Sequence, residues 1–247
     1  MNSLSPSFTS EPGSLVITIV ALVAGLIRGF TGFGGPAFML ATLTIFFNPV
    51  SVLAKVLVVD FFANFYLFHS RYKKTHWPTA LWMVIPTLIM APLGHWLLIE
   101  IDAELAKQII AIIIATSCIL MLVGIRFKHP LGKVGLLSVG IISGLVFGGT
   151  YIALVAVVAI LLGPYDKEHG RTLIITWSFF AVLGFALVSI YYGTTGLSDV
   201  KAALPGAVSY MIGTWLGSLG FKQSSEKLFR RIAISVLLGL ALFNLVL

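Results

Sequence analysis

Charge and thiols are scarce in this 247-residue sequence. Only 10% of residues are charged, with nine acids against sixteen lysines and arginines, and Cys118 is the single cysteine. One thiol can form neither an internal disulfide nor a multi-cysteine metal site. No HExxH, GxSxG, paired-cysteine or phosphate-loop motif occurs, so the usual signatures of zinc hydrolases, serine hydrolases and nucleotide enzymes are missing. A membrane enzyme would cluster histidines or carboxylates within its spans, yet the only acid deep inside an apolar run is Asp60. The sequence therefore predicts no enzyme, no cofactor and no metal.

What is present is apolar. Hydrophobic residues make up 58% of the chain and mean hydropathy is +1.03, far above the roughly 45–50% apolar norm of soluble domains. No soluble globule of this length has interior enough for that much apolar surface. The reading is an all-α polytopic membrane protein in a lipid bilayer. The excess of +7 charges lies mostly in short loops, where basic residues signal topology rather than a nucleic-acid partner. Residues 1–14 hold no Lys or Arg but include Glu11. They read as an extracytoplasmic tail, and the run beginning at Leu15 as a retained span rather than a cleaved signal.

Apolar runs fall at 15–28, 36–48, 51–70, 79–99, 105–125, 134–147, 150–163, 171–192, 202–221 and 229–246. Runs two and seven are too short to cross ~30 Å of hydrocarbon upright, which suggests re-entrant helices. Basic loops at 71–76, 126–133, 164–171 and 222–231 alternate with acidic or weakly charged ones at 100–104 and 193–201. The positive-inside rule places the basic loops in the cytoplasm and both termini outside.

The two halves, 15–128 and 129–247, resemble each other at an offset of about 115–123 residues. Gly25-x-x-x-Gly29 with Phe33-Gly34-Gly35 recurs as Gly140-x-x-x-Gly144 with Phe147-Gly148-Gly149, and Pro86 with Gly94-x-Trp96 recurs as Pro205 with Gly213-x-Trp215. Each half has five segments, an odd number, so the second repeat is expected to be inverted. Inverted repeats with interrupted helices are a recurring transporter plan that holds substrate near the midplane.

Within that plan, Gly34 and Gly35 open one short helix, and Gly148, Gly149 and Thr150 are expected to open the other. Two facing helix N-termini suit a small anion; the alternative is that these glycines serve helix packing. Arg28 either supplies charge to the site or snorkels to the surface. Asp60 cannot snorkel, so it either pairs with Arg28 or carries a proton, and Asn64 shares its helix face. Lys55 and Arg171 open corresponding helices from opposite sides and are candidate gates, or ordinary interfacial charges. His95, matched by Thr214, is a candidate cavity residue.

The string Gly29-x-x-Gly32-Phe33-Gly34-Gly35-Pro36 near the start of a duplicated apolar chain resembles the TauE/SafE sulfite exporter family. The likeness extends to the second Gly-Gly turn and the Pro-to-Trp pattern. It implies an inner-membrane bacterial permease for a small sulfur-containing anion such as sulfite, sulfoacetate or a related sulfonate. The expected function is secondary transport by alternating access, with proton coupling through Asp60. A passive anion channel on the same scaffold and a non-transporting membrane assembly factor are the alternatives.

Overall fold

The structure is a computed structural model that describes residues 11–43, 47, 49–100 and 127–225, with isolated positions at 112, 116, 228, 231, 232, 235 and 239. The expected segments at 105–125 and 229–246 fall almost entirely outside the described residues. Helices account for the regular structure: α1 Glu11–Thr31, α2 Gly35–Leu43, α3 Pro49–Arg71, α4 Trp77–Glu100, α5 Lys133–Thr150, α6 Leu154–Leu162, α7 Lys167–Tyr191 and α8 Leu197–Gln223. A 3-10 turn, Tyr72–Lys74, joins α3 to α4. The first helix begins at Glu11, inside the stretch expected to be tail.

Four stretches are long and apolar enough to cross a bilayer: Val52–Lys74, Trp77–Leu97, Lys133–Thr150 and Lys167–Tyr191. The chain is thus a multi-pass helical bundle with four membrane-spanning helices among the described residues. Its outer surface carries large apolar side chains, such as Leu81, Ile85 and Ile89 on α4 and Leu204, Val208 and Ile212 on α8. Such broad exposed apolar faces are unusual on a soluble monomer and suit contact with lipid.

Helix pairing follows the glycines. Without a hydrophobic force between helices in lipid, close backbone approach supplies much of the contact energy. Gly25 and Gly29 of α1 lie against the α8 backbone at Tyr210 and Thr214, while Gly213 and Gly217 of α8 lie against Leu22 and Leu26. On the other side, Gly140, Gly144 and Gly148 of α5 meet α4 at Met83, Thr87 and Ala91, and Gly94 of α4 meets Leu145. In both pairs contacts advance together along the two chains, so the helices run parallel. Helix α3 packs on α8 and α7 on α4, and α3 and α7 touch each other between them. Trp177 locks α7 to α4 by donating its Nε1–H to Thr87 Oγ1 at 2.9 Å.

These pairings gather the basic loops at one end. Arg71 Nη1 reaches Glu168 Oε2 at 2.6 Å, Lys167 Nζ donates to the Ser224 carbonyl, and the Phe127 N–H donates to the Leu162 carbonyl at 2.8 Å. At the opposite end, Lys55 near the start of α3 pairs with Asp199 at 3.3 Å.

The short helices have equal length. Helices α2 and α6 have nine residues each, so each rises only ~13.5 Å. The chain breaks before α2 with Gly32 and Gly34 at φ +86° and +82°, left-handed values that cost an ordinary residue ~1–2 kcal/mol. Before α6 the same turn is taken by Tyr151 at φ +58°, whose N–H closes α5 on the Phe147 carbonyl at 2.8 Å. The Phe127 N–H on the Leu162 carbonyl brings the end of α6 back beside the chain that leads into α5.

Candidate substrate site

Both breaks are tied off by a threonine. Thr31 Oγ1 donates to the Ile27 carbonyl at 2.8 Å and accepts from the Phe33 N–H at 3.1 Å. Thr150 Oγ1 repeats this with the Val146 carbonyl at 2.7 Å and the Ile152 N–H at 3.2 Å. Each hydroxyl thus serves a backbone group that the interrupted helix leaves without a partner.

Between the breaks lies a cavity with about 290 Å³ of empty space, its mouth included. Gly34, Pro36 and Ala37 from the start of α2 line it, facing Phe147, Tyr151 and Ala153 from the other break; Arg28, Asp60, Ser178 and Val182 complete the wall. The part of it open to the centre of a water-sized sphere is only about 20 Å³, room for about one water, so the cavity is nearly closed. Asp60 is central in α3, and Ser178 is near the centre of α7. The cavity is therefore at mid-depth.

Its charges are buried and cross-linked. Arg28 and Asp60 are 2% and 1% exposed, and Arg28 Nε lies 3.5 Å from Asp60 Oδ1. Asp60 also accepts from Tyr210 at 2.8 Å, Asn64 Nδ2 at 2.7 Å and Tyr151 at 3.3 Å. Arg28 donates through Nη1 to the Gly32 carbonyl at 2.8 Å and through Nη2 to Asn64 Oδ1. Asn64 thus bridges cation and anion, using both ends of its amide. A buried ion pair is tolerable only when its remaining donors and acceptors are met in this way. The guanidinium at once braces the break and borders the cavity.

A model of the family described as sulfite exporter TauE/SafE matches residues 17–244. The chain belongs to the TauE/SafE family. That places it among small-anion membrane transporters rather than enzymes, as a multi-pass inner-membrane protein. No curated protein and no solved structure matches it. No group of three or more His, Cys, Asp or Glu is placed to hold a metal among the described residues.

In this TauE/SafE protein the residues singled out from sequence separate into two groups. Arg28, Asp60, Asn64 and Gly34 come together at the cavity. Gly35 is buried beside them, packed against the Tyr210 hydroxyl and the Ala24 carbonyl. Gly148, Gly149 and Thr150 do not open the second short helix. They form the last turn of α5, with Gly148 on the α4 backbone at Ala91, and the helix start falls at Leu154 instead. The Phe-Gly-Gly match is a turn out of register: α2 starts at Gly35 and α6 at Leu154, 119 residues later, whereas Gly34 and Gly148 are 114 apart.

The other candidates lie outside the cavity. Lys55 is held by Asp199 at the far end. Arg171 is fully buried, donates to the Gly29 carbonyl and stacks 4.1 Å from the Phe221 ring centroid. His95 Nδ1 sits 3.3 Å from the Gly148 carbonyl, packed beside Phe185. Sequence reasoning missed Tyr151, Tyr210 and Ser178. A tyrosine at the centre of α8 was the available signal, because a phenol buried in lipid-depth protein needs a polar partner, and Asp60 was the obvious one.

Proposed function

We propose that this protein is a secondary transporter of a small sulfur oxyanion, with sulfite, sulfoacetate or a related sulfonate as substrate. The observation that carries this reading is the mid-depth cavity on which Arg28 and the first turns of two opposed short helices converge. An oxyanion there would accept hydrogen bonds from Arg28 and from the N–H groups of Gly35 and Ala37. The start of α6 would contribute its dipole from the opposite wall. Asp60, relieved of Arg28 when the anion arrives, is the group to take up a proton and so couple flux to a pH gradient.

We read the chain as two inverted five-segment repeats, 15–128 and 129–247, moving by alternating access. The cross-pairing supports this: α1 packs on α8 as α5 packs on α4, and α3 contacts α8 as α7 contacts α4. In this scheme the basic loops face the cytoplasm and both termini lie outside. Arg171, tied to the Gly29 carbonyl, guards the inner end, and Lys55, tied to Asp199, guards the outer.

Proteoliposomes test the proposal. Sulfite uptake should saturate and show counterflow, and Arg28→Lys should cut it at least tenfold, because an ammonium lacks the planar fork that matches an oxyanion. Uptake linear in substrate concentration, with no counterflow, would mean a channel. Full activity in Arg28→Lys would remove Arg28 from the site.

A further inference from the structure

Ser178 is 2% exposed, lines the cavity, and its Oγ has no hydrogen-bond partner among the described residues. A serine buried in a helix ordinarily returns its hydroxyl to a carbonyl one turn back. Thr87 bonds Met83, Thr150 bonds Val146 and Thr172 bonds Glu168 in this way; Ser143 and Thr214 share the lack of a partner, but of the three only Ser178 lines the cavity. An unsatisfied buried hydroxyl costs on the order of 1–3 kcal/mol, so one left free beside a cavity points to a ligand that uses it. The position matters too. Ser178 is the twelfth residue of α7, as Asp60 is the twelfth of α3, so corresponding helices carry an acid on one wall and a neutral hydroxyl on the other.

The charge count then limits the ligand. Arg28 contributes one positive charge and Asp60 one negative, which cancel. The starts of α2 and α6 each add roughly half a positive charge, and the ends of α1 and α5 at the same two breaks each add roughly half a negative one, so the fixed charges sum to about zero. A singly charged anion then leaves one negative charge for hydrogen-bond donors to offset. A doubly charged one leaves two, next to a carboxylate, in surroundings where unpaired charge is expensive.

Resting on the reading of this cavity as the transport site, we infer that it selects monoanionic oxyanions over dianions, with Ser178 as the neutral substrate ligand opposite Arg28. The hydroxyl can donate to an anionic oxygen or accept from a protonated one, which suits hydrogensulfite or a monosulfonate and, among the substrates proposed above, disfavours sulfoacetate, a dianion at neutral pH. While ionised, Asp60 is the residue that excludes the second negative charge, so the selection acts before Asp60 takes up a proton.

The test uses two tetrahedral probes of similar size, methanesulfonate and sulfate, which differ by one charge. Both are titrated against the purified full chain in lipid nanodiscs and as competitors of sulfite uptake, with melting temperature recorded for each variant. Wild type should bind methanesulfonate at least tenfold more tightly than sulfate, and Asp60→Asn should narrow or reverse that ratio. Ser178→Ala should weaken methanesulfonate roughly ten- to hundredfold, the worth of a hydrogen bond to a charged group, while melting no lower than wild type because it deletes an unsatisfied hydroxyl. Ser178→Thr, which keeps the hydroxyl, should recover part of the affinity. Equal binding of sulfate and methanesulfonate, with sulfite still bound, would overturn the charge selection alone. Unchanged affinity in Ser178→Ala would overturn the role of Ser178. Failure of every anion, sulfite included, would overturn the function proposed for the cavity and this inference with it.

Discussion

The Arg28–Asp60 pair offers the sharpest quantitative test. At 3.5 Å, two unit charges at an effective dielectric constant of ~20 attract by about 5 kcal/mol. Removing one partner does not strand the other completely. Asp60 would keep the hydroxyls of Tyr210 and Tyr151 and the Asn64 amide, and Arg28 would keep the Gly32 carbonyl and Asn64. Arg28→Met and Asp60→Asn should therefore each cost about 3 kcal/mol, the low end for a broken buried pair. The double variant should lose only ~2 kcal/mol, giving a coupling energy of ~4 kcal/mol in a double-mutant cycle. Reversible unfolding in mixed micelles measures it. Because Arg28 also serves the substrate, the double variant should fold yet fail to transport sulfite. A coupling below ~1 kcal/mol would refute the ion pair and mean that Asp60 rests neutral. Full transport by the double variant would leave Arg28 and Asp60 no function beyond structure.

Three further outcomes follow from packing and topology. Gly144→Val drives a side chain into the Thr87 carbonyl and should destabilise by at least the ~1–3 kcal/mol of an overpacked core, whereas Gly132→Ala meets nothing within 4 Å and should be neutral; thermal unfolding compares them. Gly34→Ala, at φ +82°, should cost ~1–2 kcal/mol and reduce transport by more than it reduces stability, since Gly34 lines the cavity; equal losses would put Gly34 outside the site. In a Cys118→Ser background, cysteines at 73 and 222 should be shielded from an impermeant reagent in intact cells and one at 199 labelled; the reverse pattern would invert the proposed orientation.

Much of the fold was legible because lipid imposes strong rules. The run at 51–70 became Pro49–Arg71 and that at 171–192 became Lys167–Tyr191, since a span must be long, apolar and bounded by charge. The shortness of the second and seventh runs anticipated both nine-residue helices. The glycines misled because one residue type serves two ends. Gly34 stands at the break just before α2 and borders the cavity, while Gly148 only lets two helices touch, and spacing alone cannot tell a break from a seam. Ser178, Tyr151 and Tyr210 stayed hidden for another reason. A polar residue facing inward from an apolar helix leaves no periodic trace, and the contacts that give it meaning span 91 residues from Tyr151 to Asp60 and 150 from Tyr210.

The cross-pairing of helices also bears on how the protein is made. Helix α1 leaves the ribosome long before α8, yet its glycine seam fits α8, with Gly25 waiting for Tyr210. Helix α4 likewise waits for α5. For most of synthesis the first half must therefore sit in the bilayer with its seams covered by lipid or an insertion factor, because contacts so distant in sequence form late. Cutting the gene between the halves should be tolerated if both products are made together, since each tightly packed pair draws one helix from either side of the cut. Made alone, neither half has a partner for its glycine seams, and each should be degraded.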